Sequence, residues 1–186
     1  MTTSAPTLFF RERFGLDENS LARTLSTALD GPADAADLFF EYSTRDAVQL
    51  EEGIVKSGDR HLSQGVGVRV QAGEKQGYAH SDEIDAHSLI EAATTARAIA
   101  AGSGSARSVA MRGPSAPTRD LYPVGSAPTD VPIADKVRLL EAIDRHARSR
   151  DVRVRDVQAS LVCQNRHVLL AASDGTYVAD VQPLLR

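Results

Sequence analysis

Gln64-Gly65-Val66-Gly67-Val68-Arg69-Val70-Gln71-Ala72-Gly73-Glu74-Lys75-Gln76-Gly77-Tyr78-Ala79 is the stretch whose reading decides the architecture. Val66, Val68 and Val70 alternate with Gly67 and Arg69, the two-residue period of a half-buried strand. Ala72-Gly73-Glu74-Lys75 then reads as a hairpin turn into Gly77-Tyr78-Ala79. Upstream, Leu38-Phe39-Phe40 begins one strand and Ala47 to Leu50 another, so residues 37–79 form an antiparallel meander.

On the N-terminal side, Leu21, Leu25, Ala28 and Leu29 recur at helical spacing behind the capping residue Asp17, and Gly31-Pro32 supplies the stop. Residues 1–16 are left as an N-terminal arm. On the C-terminal side Asp85 caps a second helix with an Ala-rich stripe (Leu89, Ile90, Ala93, Ala96, Ala100), and Gly102 suits its left-handed stop. Residues 102–132 form a Pro/Gly/Ser-rich loop with five of the eight prolines, pinned by Leu121 and Tyr122. A third helix runs from about Ile133 to Ser149, with Ile133, Val137, Leu140, Ile143 and Ala147 on one face. Val157, Ala159, Leu161 and Cys163 then give a half-buried strand. Gln164-Asn165 and Ser173-Asp174-Gly175 mark turns of a second meander over about residues 152–181. The fold class is therefore α+β: antiparallel β meanders with about three helices packed against the sheet. Whether the two meanders join is left open.

Bulk properties exclude several functions. The 186 residues suit one domain or two closely packed halves, and folding buries about 70% of the unfolded surface at this size. A formal charge of -4 offers no broad positive field for nucleic acid or anionic lipid. Cys163 is the single cysteine, which excludes an internal disulfide and suits a reducing compartment. There is no apolar signal-peptide core near the N-terminus and no run approaching the roughly 18 apolar residues of a membrane span. A cytoplasmic protein is expected.

Candidate sites are few. Gly65-Val66-Gly67 lacks the third glycine and the following helix of a dinucleotide loop; glycine here allows a bulge, the approach of another backbone, or pairing with an extended peptide on a bare strand. His80-Ser81-Asp82 has the residue types of a hydrolase triad, but sequence neighbours point apart, so Ser81, Asp82 and Asp85 read as turn and capping groups. Glu51-Glu52 beside Gly53 reads as a solvated turn. Arg145, Arg148, Arg150, Arg153 and Arg155 gather within eleven residues, diluted by Asp144, Asp151 and Asp156, and read as structural cations at a helix end. Cys163 reads as a buried small hydrophobe. No residue is nominated as catalytic, as cofactor-binding or as a metal ligand.

The ordered set Asp37-Leu38-Phe39-Phe40-Glu41, Leu50-Glu51, Ile54-Val55-Lys56 and Gln64-Gly65-Val66-Gly67-Val68-Arg69 resembles the first domain of the TldD/PmbA family. The likeness continues through Gly73-Glu74-Lys75, Gly77-Tyr78-Ala79, Ala171-Ala172-Ser173-Asp174-Gly175-Thr176 and Ala179-Asp180-Val181-Gln182-Pro183-Leu184, closer to the TldD branch than to PmbA. The resemblance implies that residues 17–186 are an N-terminal domain, truncated before a larger C-terminal metallopeptidase domain. It implies a zinc metallopeptidase acting on unfolded peptides with a PmbA-like subunit, from a family also described as modulators of DNA gyrase. In that family a His-Glu-x-x-x-His helix holds zinc. Here His61, His80, His87, His146 and His167 include none followed by Glu and no two at four- or five-residue spacing, so zinc is expected only in the missing domain. The meander left unfinished at Arg186 supports the same expectation. The fragment is thus read as noncatalytic, contributing a subunit interface and a channel wall, with a PmbA-like subunit or self-association as the partner relation. The alternative is an independent module that captures extended protein segments by β-strand addition, a gyrase or toxin-antitoxin modulator.

Overall fold

Alternation along the chain is realised as five long strands in one antiparallel sheet, ordered β3-β2-β1-β4-β5. The structure is a computed structural model that describes residues 6–100, 109–111, 113 and 125–186. The elements are α1 (Pro6–Phe14), α2 (Glu18–Ala28), β1 (Ala35–Glu51), β2 (Ile54–Ala72), β3 (Lys75–Ser81), α3 (Ala86–Ala100), α4 (Ile133–Arg150), β4 (Gln158–Ala172) and β5 (Tyr177–Leu185). The two meanders therefore do join, through β1 beside β4. Ser173 N–H donates to the Ala36 carbonyl and Glu52 N–H to that of Val157, so these strands run in opposite directions.

The strands are longer than the sequence reading made them. The two runs at 38–40 and 47–50 are one strand, β1, buried at every second residue through Ala36, Leu38, Phe40 and Tyr42, and again through Asp46, Val48 and Leu50. Gln164-Asn165 is not a turn: β4 passes through it unbroken, Asn165 is buried, and Gln164 Nε2 donates to Ser43 Oγ at 3.0 Å. Polar residues signal a turn only when nothing in a neighbouring strand satisfies them. The expected turns elsewhere are present. Glu52 and Gly53 join β1 to β2 with φ of 53° and 75°, the left-handed pair of a tight hairpin. Gly73, at φ 57°, turns β2 into β3, which pairs with it from Val66↔Ser81 to Ala72↔Lys75.

The helices number four where three were expected. The additional one, α1, lies in the stretch read as an arm; Phe10 is completely buried and Phe9 stacks on His167 with ring centroids 3.8 Å apart. Asp17 caps α2 through the Ser20 N–H, with Ser20 Oγ accepting from Asp17 N–H in return. Asp85 caps α3 through the N–H groups of His87 and Ser88. The α3 stripe Leu89, Ala92, Ala93, Ala96 and Ala100 is buried, and the approach to β3 is tight: a Cβ on Gly77 would stand 1.9 Å from the Ala96 carbonyl oxygen. Gly102, Leu121 and Tyr122 lie outside the described residues; among the described residues of the 102–132 loop, Val109 and Met111 pack on apolar core.

The described chain divides into two compact units. One takes residues 6–42, 63–100, 109–111, 113 and 167–181; the other takes 43–62, 125–166 and 182–186. The first is built on α1, α2 and α3 around Phe10, Leu21, Leu25, Leu38, Phe40, Val68 and Leu169. The second has a small apolar centre of Val48, Leu50 and Leu140, flanked by Val137, Ala159 and Leu161.

Candidate functional site

The local surroundings of the sequence candidates explain most of them as structure. Ser81 Oγ accepts from the Glu83 N–H, and the Asp82 carbonyl accepts from Gln64 Nε2, so His80-Ser81-Asp82 closes a strand end and assembles no triad. Glu52 is a turn residue, and Glu51 Oε1 accepts from Gln158 Nε2. Arg148 holds Asp144 and donates to the Arg155 carbonyl, Arg150 donates to His146, Arg145 faces Glu141 at 4.0 Å, and Arg153 grips Asp151. The arginine cluster is thus largely occupied by its own neighbours. The Asp151 carboxyl is held below its ordinary range by the Arg153 guanidinium and then by the Arg153 N–H. Cys163 is buried, and burial pushes its thiol up, with Asp46 adding to the effect and Lys136 opposing it.

The reading of Gly65-Val66-Gly67 as a bare strand is corrected. Here β2 lies inside the sheet, between β1 and β3. The glycines serve close approach: a Cβ on residue 65 would meet the Ser81 carbonyl at 2.9 Å, and one on residue 67 would meet the Tyr78 hydroxyl at 2.6 Å. The part of β2 that extends beyond β3 is its first half, residues 54–63. All of it is exposed, including Ile54, Val55 and Leu62. β5 is the sheet's other open edge, and it carries Pro183, which cannot donate a ladder hydrogen bond.

The sequence reading missed a buried polar site in the second unit. α4 turns Lys136, Leu140 and Asp144 inward, at i, i+4 and i+8, while Ile133 and Ile143, expected on the buried face, are 51% and 45% exposed. The reason lies on β1: buried Asp46 accepts from Lys136 Nζ, and Arg60 Nε lies 3.5 Å from its other oxygen. That second oxygen, Oδ1, is buried without a hydrogen-bond partner among the described residues. Beside the pair opens a cleft of about 570 Å³ lined by Asp46, Asp59, Arg60, Asp130, Val131 and Ile133. A hydrophobicity pattern cannot reveal this, because Asp46 is 90 residues from Lys136 and only their meeting makes either residue fit to be buried.

The metal implied by the resemblance finds no fit among the described residues. His61, His80, His87, His146 and His167 are spread over β2, β3, α3, α4 and β4, and no group of three or more His, Cys, Asp or Glu is gathered to hold an ion. Among the described residues no helix is long and apolar enough to cross a membrane.

Residues 36–100 match the model of the PmbA/TldA metallopeptidase domain 1, and residues 126–186 match the PmbA/TldA metallopeptidase central domain. The chain belongs to the PmbA/TldD family. It is 40% identical over 158 residues to a metalloprotease TldD homolog of Haemophilus influenzae, covering 82% of this chain and 32% of that protein. A Buchnera aphidicola TldD homolog is 32% identical over 155 residues, covering 82% of this chain and 31% of the relative. The chain thus spans about a third of the length of these curated relatives. Solved structures share the fold at low identity. A Bacteroides thetaiotaomicron protein named a modulator of DNA gyrase superposes with a TM-score of 0.68 at 17% identity, over 91% of this chain and 40% of that one. TldE from Thermococcus kodakarensis superposes at 0.61 and 15% identity, over 89% and 36%.

Proposed function

We propose that this chain is the noncatalytic N-terminal portion of a cytoplasmic TldD-like zinc metallopeptidase that degrades unfolded peptides. In this reading it contributes a wall of the substrate channel and a surface for a PmbA-like subunit or a second copy, while zinc and the general base belong to a C-terminal portion. The observation that carries the reading is the 40% identity to a TldD homolog, combined with a chain that spans about a third of that relative. The interface role is supported by the exposed apolar residues Ile133, Leu139 and Ile143 on α4, which cost hydration unless something covers them.

The first test is to read the gene past codon 186. An in-frame His-Glu-x-x-x-His segment supports the peptidase parent, and a genuine stop codon sinks it. The second is to assay the purified 186-residue chain for zinc and for cleavage of an unfolded peptide. Stoichiometric zinc with peptide cleavage would overturn the noncatalytic role.

One observation favours a second reading, an independent module that captures extended segments by strand addition. Among the described residues, β3 pairs with β2 only from Val66 onward, which leaves residues 54–63 with an edge beyond β3 and both faces exposed. Sedimentation over a concentration series distinguishes edge pairing from its absence, since a strict monomer at high concentration argues against it.

A further inference from the structure

We propose that the cleft beside Asp46 in the second unit binds a small zwitterion, an amino acid or short peptide with a free ammonium and a free carboxylate. Asp46 lines this cleft, and its side chain is only 6% exposed. Its Oδ2 accepts from Lys136 Nζ, whereas Oδ1 accepts no hydrogen bond among the described residues. A buried acceptor without a donor leaves its desolvation cost uncompensated. Arg60 screens that oxygen without satisfying it: Nε stands 3.5 Å away, in ion-pair range and beyond a normal hydrogen bond. With its side chain 64% exposed, Arg60 can turn toward solvent and uncover Oδ1 to the cleft.

Charge balance selects the ligand. Three carboxylates, Asp46, Asp59 and Asp130, line the cleft. Lys136 holds the first, Arg45 lies 3.8 Å from the second, and Arg60 is the cation of the lining itself. These acids and bases cancel, so a net cation would crowd Arg60 and Lys136, and a net anion would crowd the carboxylates. A zwitterion adds no net charge. Its carboxylate draws the Arg60 fork outward, and its ammonium takes the place of Arg60 beside Asp46 Oδ1. A quaternary ammonium would carry the charge without the N–H that this oxygen lacks.

The rest of the lining fits the body of such a ligand. Val131, Pro132 and Ile133 form an apolar wall, with Val131 and Ile133 43% and 51% exposed, which favours an aliphatic side chain between the two charges. The volume of about 570 Å³ lies inside the roughly 300–1,000 Å³ of small-molecule sites. Every residue named belongs to the second unit. Binding here requires neither zinc nor a second subunit, so it is independent of the peptidase reading.

The test is an NMR titration of the isotope-labelled 186-residue chain with L-leucine and with the tripeptide Gly-Leu-Gly, each also prepared N-acetylated, N-trimethylated or C-amidated. Saturable shifts are expected at the amides of Asp46, Gly58, Arg60, Asp130 and Val131 with a free-ended ligand. Binding by leucine alone or by the tripeptide alone upholds the site and names the source. Each modification should weaken binding roughly ten-fold, because each removes a charge-assisted hydrogen bond. Arg60→Gln should weaken the free-ended ligand roughly ten-fold and leave the amidated one unchanged, since the carboxylate is what Arg60 holds. If Arg60→Gln loses the fold, the contrast between free-ended and amidated ligand in the parent chain decides. Equal binding of free-ended and modified ligands, shifts confined to another surface, or no saturable shift with either ligand overturns the assignment.

Discussion

The two units solve the same problem, covering a β-sheet with helices, by opposite chemistry. In the first, α2 and α3 bury Leu, Ala and Thr side chains against the apolar face of the strands, and the main demand on the buried positions is size, down to the missing Cβ at Gly77. In the second, α4 buries a lysine and an aspartate around one leucine and leaves isoleucines in water. Apolar burial is forgiving of exact partners and proportional to area; an ion pair is worth little more than its desolvation cost and depends on both members being present. The first unit should therefore respond to changes of volume, and the second to changes of charge balance.

The largest effect is expected in the second unit. Lys136→Met leaves Asp46 buried against Arg60 alone and should lower stability by about 3–5 kcal/mol in urea unfolding. Combining it with Asp46→Leu should recover most of that loss. If the double variant is as unstable as the single one, the pair is not what holds α4 down. Next, Gly77→Ala drives a methyl group into the Ala96 carbonyl and should cost about 1–3 kcal/mol through retreat of α3. An unchanged midpoint would show that the first unit is loosely packed after all.

The smallest effect is electrostatic and sharpens the contrast within the first unit. The Asp85 carboxyl lies below its ordinary range, chiefly because the Ser88 N–H and then the Ser88 hydroxyl donate to it. A folded-state value below the unfolded one means the capping contribution is complete above the unfolded-state range and fades as pH falls through the folded value. Asp85→Asn should keep a cap and flatten the acid limb of the stability curve. A limb as steep as in the parent protein would assign the dependence to other carboxylates.

These contrasts also explain what the sequence could tell. The hairpin at Gly73, the caps at Asp17 and Asp85 and the Ala stripe of α3 are written in short-range patterns, and each stands where those patterns put it. The family was legible because its strings recur in order along the chain. What failed were features whose meaning depends on distant partners. Ile133 and Ile143 look inward by periodicity, yet Asp46 on β1 draws the other face of α4 to the sheet. Gln164-Asn165 looks like a turn until Ser43 is placed beside it. α1 has Leu8, Phe9, Phe10 and Phe14 so closely spaced that no clean stripe emerges, and only the packed rings around Tyr42 and His167 show why it is helical.

The solitary thiol has a practical consequence. Cys163 sits in the second unit, shielded from solvent, and no other sulfhydryl competes for reagent. Its rate of modification by a disulfide exchange probe therefore counts how often that half of the molecule breathes open, without any label having to be engineered into the protein.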